Sequence, residues 1–596
     1  MALRVLSSIT LLLLGLALAT PPARAQGPVK VPLDHWCYGF LERMEALGAV
    51  HRLGDGIRPF SRTEIAQALS QVRGQALGEG LLTRIDRERL RQLESEFAAE
   101  LAQLRGGAPA GEPAAAWPGR LPGRQPLLRY VHDQGEVLAD VAFHQQTDRF
   151  AGYGRSRAEV VYRTGLGGAL RGSLLGGRVG FSSTFLQTSE QGTRTYRLRD
   201  DVLEPQVELP QLKGSRADYH QGRADVALSL DWLDVDVGKD QALWGPGPTD
   251  NLGLSANAPA FDLVRLQVRL GALKAASIAG GLRPCPDRPD SPVCEDTGDL
   301  EATYLVNGQR RTLEREKHLA AHRLEASVTD WLDLGFEEMV IYGDRGPELA
   351  YLNPVMFYWA AQSYLGDKDN ALMGIDFDLH PGHGLRLYGA YVVDDLRKAR
   401  IFSNDYANKF SLQAGFRWAD PPGLRDTDLW LEYVRLEPWL YTHKFPINHF
   451  THFDAPLGHA LGPNSDRWLI RLAHRLHPGL EAAAQLSRTR HGDNLLLPDG
   501  GVQNVGGDLH LGWRPGDPNE AKEFLAGRQG RWTRAGLEVS ARLPAPLSLL
   551  LGYEHEWGKD VPLPPRWEPN VALSSRTGYG DGGQHHLRLD LRYRWP

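Results

Sequence analysis

The chain has 596 residues, 42% of them hydrophobic, with 67 basic against 73 acidic side chains and a formal net charge of -6. That balance excludes a nucleic-acid partner, because no basic stripe is available to displace phosphate counterions. After the first twenty residues no apolar run approaches the roughly 18 residues of a membrane helix, so a helical anchor is excluded too.

The N-terminus reads as an export signal. Arg4 precedes the apolar run Val5 to Ala19, and Ala23-Arg24-Ala25 offers a small-x-small cleavage site, so residues 1–25 are expected to be removed. No cysteine follows that site, which argues against a lipid anchor. Of the three cysteines, Cys285 and Cys294 lie close together in a Pro/Asp-rich loop, where an oxidising compartment could join them as a disulfide. Cys37, beside Trp36, reads as a small buried residue.

Residues 26–105 have a helical period. Trp36, Phe40, Met44 and Leu47 share one helix face, with Gly48 as the stop. Ser61 and Glu64 form a capping box that opens a second helix, and a third, charged helix is expected from about Glu79 to Leu104. Trp36, Gly48 and Pro59-Phe60-Ser61-Arg62-Thr63-Glu64 resemble a single S-layer homology motif. The Ala/Gly/Pro segment 106–126 is a linker.

From 127 to 596 the period is two. Ala224, Val226, Leu228 and Leu230 form one apolar face, and the phase flips to Leu233, Val235 and Val237 across a turn at Asp231-Trp232. Short turns are expected at Gly167-Gly168, Asp231-Trp232, Gly271, Asp330-Trp331, 380–384, 420–425, 477–479 and 544–546. Long segments alternate with them: 188–221, 242–260, 283–319, 343–371, 396–408, 438–465, 491–533 and 558–584. In an up-and-down sheet this alternation sends every short turn to one end and every long loop to the other. At the C-terminus Leu587, Leu589, Leu591, Tyr593 and Trp595 alternate with Arg588, Asp590, Arg592 and Arg594. A soluble core would reject that charged face and a watery lumen would accept it. The expectation is therefore an all-β transmembrane outer-membrane barrel of about 18 antiparallel strands, with a small N-terminal helical domain in the periplasm and both barrel ends on the short-turn side. Val505 to Trp513 alternates like a strand but would break the even count, and is placed within the loop 491–533.

Three long loops carry residues that a strand scaffold does not need. The first holds Trp244-Gly245-Pro246-Gly247 and Asn257. In the second, Asn353 and Pro354 would open a helix bearing Tyr358 and Gln362, near Tyr351 and leading to Asp369-Asn370; so apolar a helix is expected inside the barrel mouth as a plug. The third runs from Glu437-Pro438-Trp439 through Tyr441 and His443 to Gly462-Pro463-Asn464-Ser465-Asp466. Gly-Lys-Asp-(x)3-Trp-Gly-Pro-Gly with Leu-Ser-x-Asn-Ala, then Tyr-Leu-Asn-Pro-(x)2-Phe-Tyr with Asp-Asn, then the third segment, resemble the capsule assembly Wzi-like family of outer-membrane proteins. The resemblance implies a barrel of about eighteen strands that holds capsule or exopolysaccharide at the cell surface.

A glycan surface needs aromatic faces for C–H groups and amides or carboxylates for hydroxyls. Trp244, Tyr351, Tyr358, Trp439 and Tyr441 offer the first; Asn257, Asn353, Gln362, Asp369, Asn370 and His443 offer the second. Expected partners are surface polysaccharide and outer-membrane lipid, with peptidoglycan or periplasmic proteins within reach of the helical domain. No cofactor or metal is assigned: His443, His449, His452, Asp454 and His459 have irregular spacing. No nucleophile elbow or phosphate loop is present, and Glu337, Glu338, Asp344 and Glu348 fall where strand ends and loop rims are expected, so the chain reads as a binding protein and not an enzyme. A sugar-passing porin is the alternative.

Overall fold

The computed structural model describes residues 28–105, 127–132, 134–152, 158–192, 216–230, 232–284, 298–306, 309–397, 400, 403–453, 455–499, 501–517, 521–543, 547–562 and 579–594. The segments read as export signal (1–25) and linker (106–126), Cys285, Cys294 and Asp454 lie outside these residues.

Eighteen antiparallel strands close a barrel. They are β1 (Gly135–Gly152), β2 (Glu159–Leu174), β3 (Val179–Gly192), β4 (Arg216–Ser229), β5 (Leu233–Asp240) and β6 (Phe261–Leu270). Next come β7 (Leu273–Leu282), β8 (Lys317–Thr329), β9 (Leu332–Gly343), β10 (Asn370–Gly382), β11 (Leu385–Asp395) and β12 (Lys409–Ala419). The last are β13 (Thr427–Leu436), β14 (Ser465–His477), β15 (Leu480–Asp493), β16 (Arg528–Arg542), β17 (Leu547–Pro562) and β18 (Tyr579–Arg594). The sheet closes where β18 pairs with β1, from Gln584 opposite Gly152 to Arg594 opposite Ala142. Below the end of β18, residues 128–132 fold back on β1, Leu128 opposite Ala139. Both ends of the barrel thus lie at the short-turn end, and 505–513 forms no strand.

One turn is misplaced by the sequence reading. Gly167 and Gly168 lie inside β2, and the chain reverses at Leu175, Gly176 and Gly177, all with positive φ. Gly167 is needed for close approach instead, since a Cβ there would meet the Phe185 carbonyl oxygen at 1.7 Å.

The two faces of the wall are opposite in character. Leu587 and Leu589 are exposed on the outside of β18, as are Tyr162 and Leu166 on β2 and Ile375 and Phe377 on β10. Inward from β18 point Arg588 and Asp590, which pair with Asp148 on β1 at 3.0 Å and His144 on β1 at 3.2 Å. Apolar outside and charged inside suits lipid around a polar interior, and only closure satisfies every strand hydrogen bond there. Among the described residues no helix is long and apolar enough to cross a membrane.

The helical unit comprises α1 (Cys37–Ala46), α2 (Arg62–Glu79), α3 (Arg84–Glu96) and α4 (Ala98–Leu104). The Ser61/Glu64 capping box is present; a second box, Thr83/Asp86, opens α3 after Gly80 ends α2 in the left-handed region, so the expected third helix starts later and breaks at Phe97. Phe40, Leu41, Met44, Ile65, Leu69, Leu93 and Phe97 pack a small core. The unit sits against the short-turn end: Arg89 donates to the Pro478 carbonyl at 3.0 Å, and Gln103 to that of Gly176 at 3.3 Å. Its anchor is Arg43, fully buried, which holds Asp86 at 3.0 Å, Asp420 at 2.6 Å and Asp428 at 2.7 Å.

Candidate functional site

The Trp-Gly-Pro-Gly loop is a floor inside the lumen. Leu243 and Trp244 pair as a two-residue ladder with Arg58 and Ile57 of the helical unit. Arg58 donates to the carbonyls of Gly245 and Pro248, each at 3.3 Å, and of Gly247, while Arg386 from the wall donates to that of Pro246 at 2.8 Å. Successive carbonyls can face two guanidiniums only in a tight, irregular turn, hence the glycines. Gly245 has φ 117°, and a Cβ there would meet Asn251 Oδ1 at 2.7 Å. Asn257 closes the loop by donating to Asp250 at 2.8 Å and to the Gly458 carbonyl at 2.7 Å.

The third loop stacks on that floor. The Tyr441 hydroxyl donates to the Leu252 carbonyl at 2.6 Å and accepts from the His459 amide at 3.2 Å, and its ring stacks on Phe450. Leu252, Leu254, Tyr441, Phe450 and Leu457 join inward residues of the wall, among them Ile278, Leu319, Met339, Ile341 and Val434, in one core. Residues 494–499, 501–517 and 521–527 then cross the mouth. Gly506 accepts from the Trp439 amide at 3.0 Å, Asn464 takes the Leu525 amide at 2.7 Å, and Lys522 pairs with Glu437 at 3.0 Å. From the helical unit to the mouth, this part of the lumen is filled.

The second loop lies elsewhere, which corrects its assignment as a plug. Residues of one strand alternate between faces, and Met339 and Ile341 point inward to the core just described, so Glu338, Val340 and Tyr342 point outward. Val340, Tyr342, Ala320 and Ala371 pack with Tyr351, Tyr358 and Ala361. The helices α5 (Leu349–Leu352) and α6 (Tyr358–Tyr364) therefore cover the outer wall of β8 to β10. Asn353 and Pro354 do not open α6. The helix starts at Tyr358, and its first amides are taken by Glu338, which accepts from Tyr358 at 3.0 Å and Trp359 at 3.4 Å and is 3.1 Å from His322 Nε2. A carboxylate on the outer wall is thus masked by a helix start, where the dipole favours negative charge.

The eleven candidate sugar-binding residues therefore fall into two groups on opposite faces of the wall. Trp244, Asn257, Trp439, Tyr441 and His443 belong to the floor and mouth; Tyr351, Asn353, Tyr358, Gln362 and Asp369 belong to the outer-wall loop, with Asn370 at the rim joining them by donating to the Asn448 carbonyl at 3.0 Å. Asp369 takes Arg345 at 2.6 Å and the Tyr351 hydroxyl at 2.7 Å, Gln362 donates to its carbonyl, and Asn353 is exposed. All five aromatic candidates are at most 1% exposed, so their rings serve the core. His443 is half-buried, and burial with Lys409 and Lys444 pushes it down to about 3.

The sequence reading missed an aromatic pair at the mouth. Tyr406 and Trp513, both half-buried, stack with centroids 5.3 Å apart. Arg397 lies 5.6 Å over Tyr406, and Arg397 and Arg400 flank the buried Asp405 at 3.0 and 3.5 Å with 44% and 54% of their side chains exposed. Tyr406 and Trp513 are 107 positions apart, in loops joined by Lys522, which donates its amide to the Asn404 carbonyl at 2.8 Å and its ammonium to the Asn408 carbonyl.

Among the described residues, the acidic and histidine candidates of these loops are engaged with other groups. Glu338 caps α6, Asp344 pairs with Arg315, and Glu348 lies 3.8 Å from Arg345. His449 Nε2 lies 3.1 Å from the His443 carbonyl, His452 accepts the Arg283 amide at 3.0 Å, and His459 faces Asp250 at 3.4 Å.

A closed barrel with an apolar exterior and a loop-filled mouth defines an outer-membrane β-barrel. The model of the family described as capsule assembly protein Wzi matches residues 286–560, so the resemblance read from the motifs holds over that part of the chain. Among solved structures, the chain is similar to Wzi of Escherichia coli, described as an outer-membrane carbohydrate-binding β-barrel involved in group 1 capsule assembly. The identity is 12% over 94% of this chain and 99% of that one, with a TM-score of 0.53. Two further matches are OprD of Pseudomonas aeruginosa (14% identity, 77% of this chain and 92% of that one, TM-score 0.40) and OccAB2 of Acinetobacter baumannii (11%, 76% and 98%, TM-score 0.40). No curated protein matches the sequence.

Proposed function

We propose that the protein holds an anionic polysaccharide at the outer face of the outer membrane, as a binding and attachment protein without enzymatic activity. The Tyr406–Trp513 stack beside Arg397 and Arg400 carries this reading, because it offers ring faces to sugar C–H groups and guanidiniums to carboxylates at one place on the mouth. The Wzi family match supports it. In this reading Trp244, Trp439, Tyr441 and Asn257 build the surface that positions the pair, and the long loops face outward from the cell. The helical unit faces the periplasm, where peptidoglycan or periplasmic proteins would meet it. The test is the division of surface polysaccharide between cells and medium with and without this protein. Polymer shifting into the medium at unchanged total synthesis supports attachment, and an unchanged division contradicts it.

A porin-type passage is the second reading, favoured by one observation. The inner wall from β14 to β1 carries partly exposed charges, with side-chain exposures of 45% at Arg534, 33% at Arg588 and 45% at Arg592. Open-channel conductance of the purified barrel, blocked by sugars, would favour it.

A further inference from the structure

Where the helical unit meets the wall, Glu45 of α1, Asp333 of β9 and His380 of β10 converge. One ligand atom from each lies within 4.8 Å of the others, and Glu45 Oε2 is 3.8 Å from His380 Nε2. All three residues are more than 90% buried. No hydrogen bond reaches Glu45 Oε2, Asp333 Oδ1 or either nitrogen of His380, although His380 Nε2 lies 3.3 Å from Asp378. The remaining groups hold the ligands in place. Glu45 Oε1 accepts the Leu53 amide at 3.3 Å, and the His380 amide donates to the Trp331 carbonyl at 2.8 Å.

Charge makes the cluster stranger. Glu45 shares its surroundings with Asp55, Asp333 and Asp378, and the guanidinium of Arg386 is bonded to Asp378 and lies 3.3 Å from Asp55. The next cations are engaged elsewhere: Arg58 with Glu42 at 3.1 Å and Lys274 with Glu64 at 3.1 Å. Buried carboxylates without partners are costly, and a dication compensates them where a hydrogen bond does not.

We propose that Glu45, Asp333 and His380 form a site for a first-row divalent cation of the zinc type, pinning the helical unit to the barrel wall. One imidazole and two carboxylates are a zinc ligand set, and a tetrahedral site has its ligand atoms about 3.4 Å apart, a contraction that side-chain rotation supplies. Two of the ligands come from the wall and one from the helical unit, so the ion would bind only when the two are docked, and by mass action would favour docking.

The test uses the full chain purified in detergent, stripped with chelator, and titrated with zinc chloride, with calcium chloride as the comparison. One zinc per chain is expected, weakened at least tenfold by His380→Gln and by Glu45→Gln, and zinc should delay protease release of the helical unit in the unsubstituted chain only. Glu45→Gln lies outside the barrel, so it keeps the test open if His380→Gln fails to fold. Equal zinc affinity in the folded variants, calcium binding without zinc, or no bound ion would each overturn the proposal.

Discussion

The two sides of the barrel solve the problem of an interior differently. Strands β5 to β13 are 8 to 13 residues long, and their inner faces close on the helical unit and the loop core. Strands β14 to β18 with β1 to β4 run 13 to 18 residues, and their inner faces carry charges such as Arg163, which lies 3.1 Å from both Asp148 and Glu190. On the short side the loops turn inward and supply the apolar partner that the wall needs. On the tall side charged residues neutralise one another across neighbouring strands. The mouth is built on the first arrangement.

The contrast is sharpest for buried charge. Arg43→Ala would leave Asp86, Asp420 and Asp428 without their shared guanidinium and should weaken docking of the helical unit by about 3–5 kcal/mol. Arg528→Ala, at a partly exposed pair with Asp560 on the tall side, should cost less than about 1 kcal/mol. Protease release of the helical unit reads the first, and the heat-modified gel shift of the barrel reads the second. Equal effects would erase the distinction.

Acid should separate the two sides more gradually. Burial raises Asp86 and Glu64, but Arg43 for the first, and Lys274 and Arg269 for the second, hold both below the usual carboxylate range. Their contribution to docking is therefore present above about pH 4 and lost as the pH falls further. Protease release should rise below about pH 4 while the barrel stays folded.

Smaller changes probe the loops. Gly506 has φ 79°, and a Cβ there would meet Trp439 at 2.5 Å, so Gly506→Ala should loosen the mouth by about 1–3 kcal/mol and raise hydrogen exchange in 494–527. Glu338→Ala should free the start of α6 at a cost of about 1 kcal/mol, raising exchange in 349–364 and leaving 494–527 unchanged.

How much of this was legible depends on what each residue touches. The alternation of Leu587, Leu589 and Leu591 with Arg588, Asp590 and Arg592 showed the tall side directly, because each face meets one medium. The run Met339-Val340-Ile341-Tyr342 showed that the inner face there is apolar and needs a cover, but not that the outer face carries a second one, because outward Val340 and Tyr342 would suit lipid equally well. Reading 351–364 as a plug overlooked that second cover. Tyr406 and Trp513 had no signal at all, because their meeting depends on a loop crossing fixed by Lys522, Asn404 and Glu437.

The most direct measurement is the cell-bound fraction of surface polysaccharide in bacteria carrying the Tyr406→Ala, Trp513→Ala double variant at unchanged amounts of folded protein in the outer membrane. Polymer is expected to move to the medium to the extent expected for loss of the whole protein. Polymer that stays on the cells, with the stack removed and the barrel intact, would contradict it.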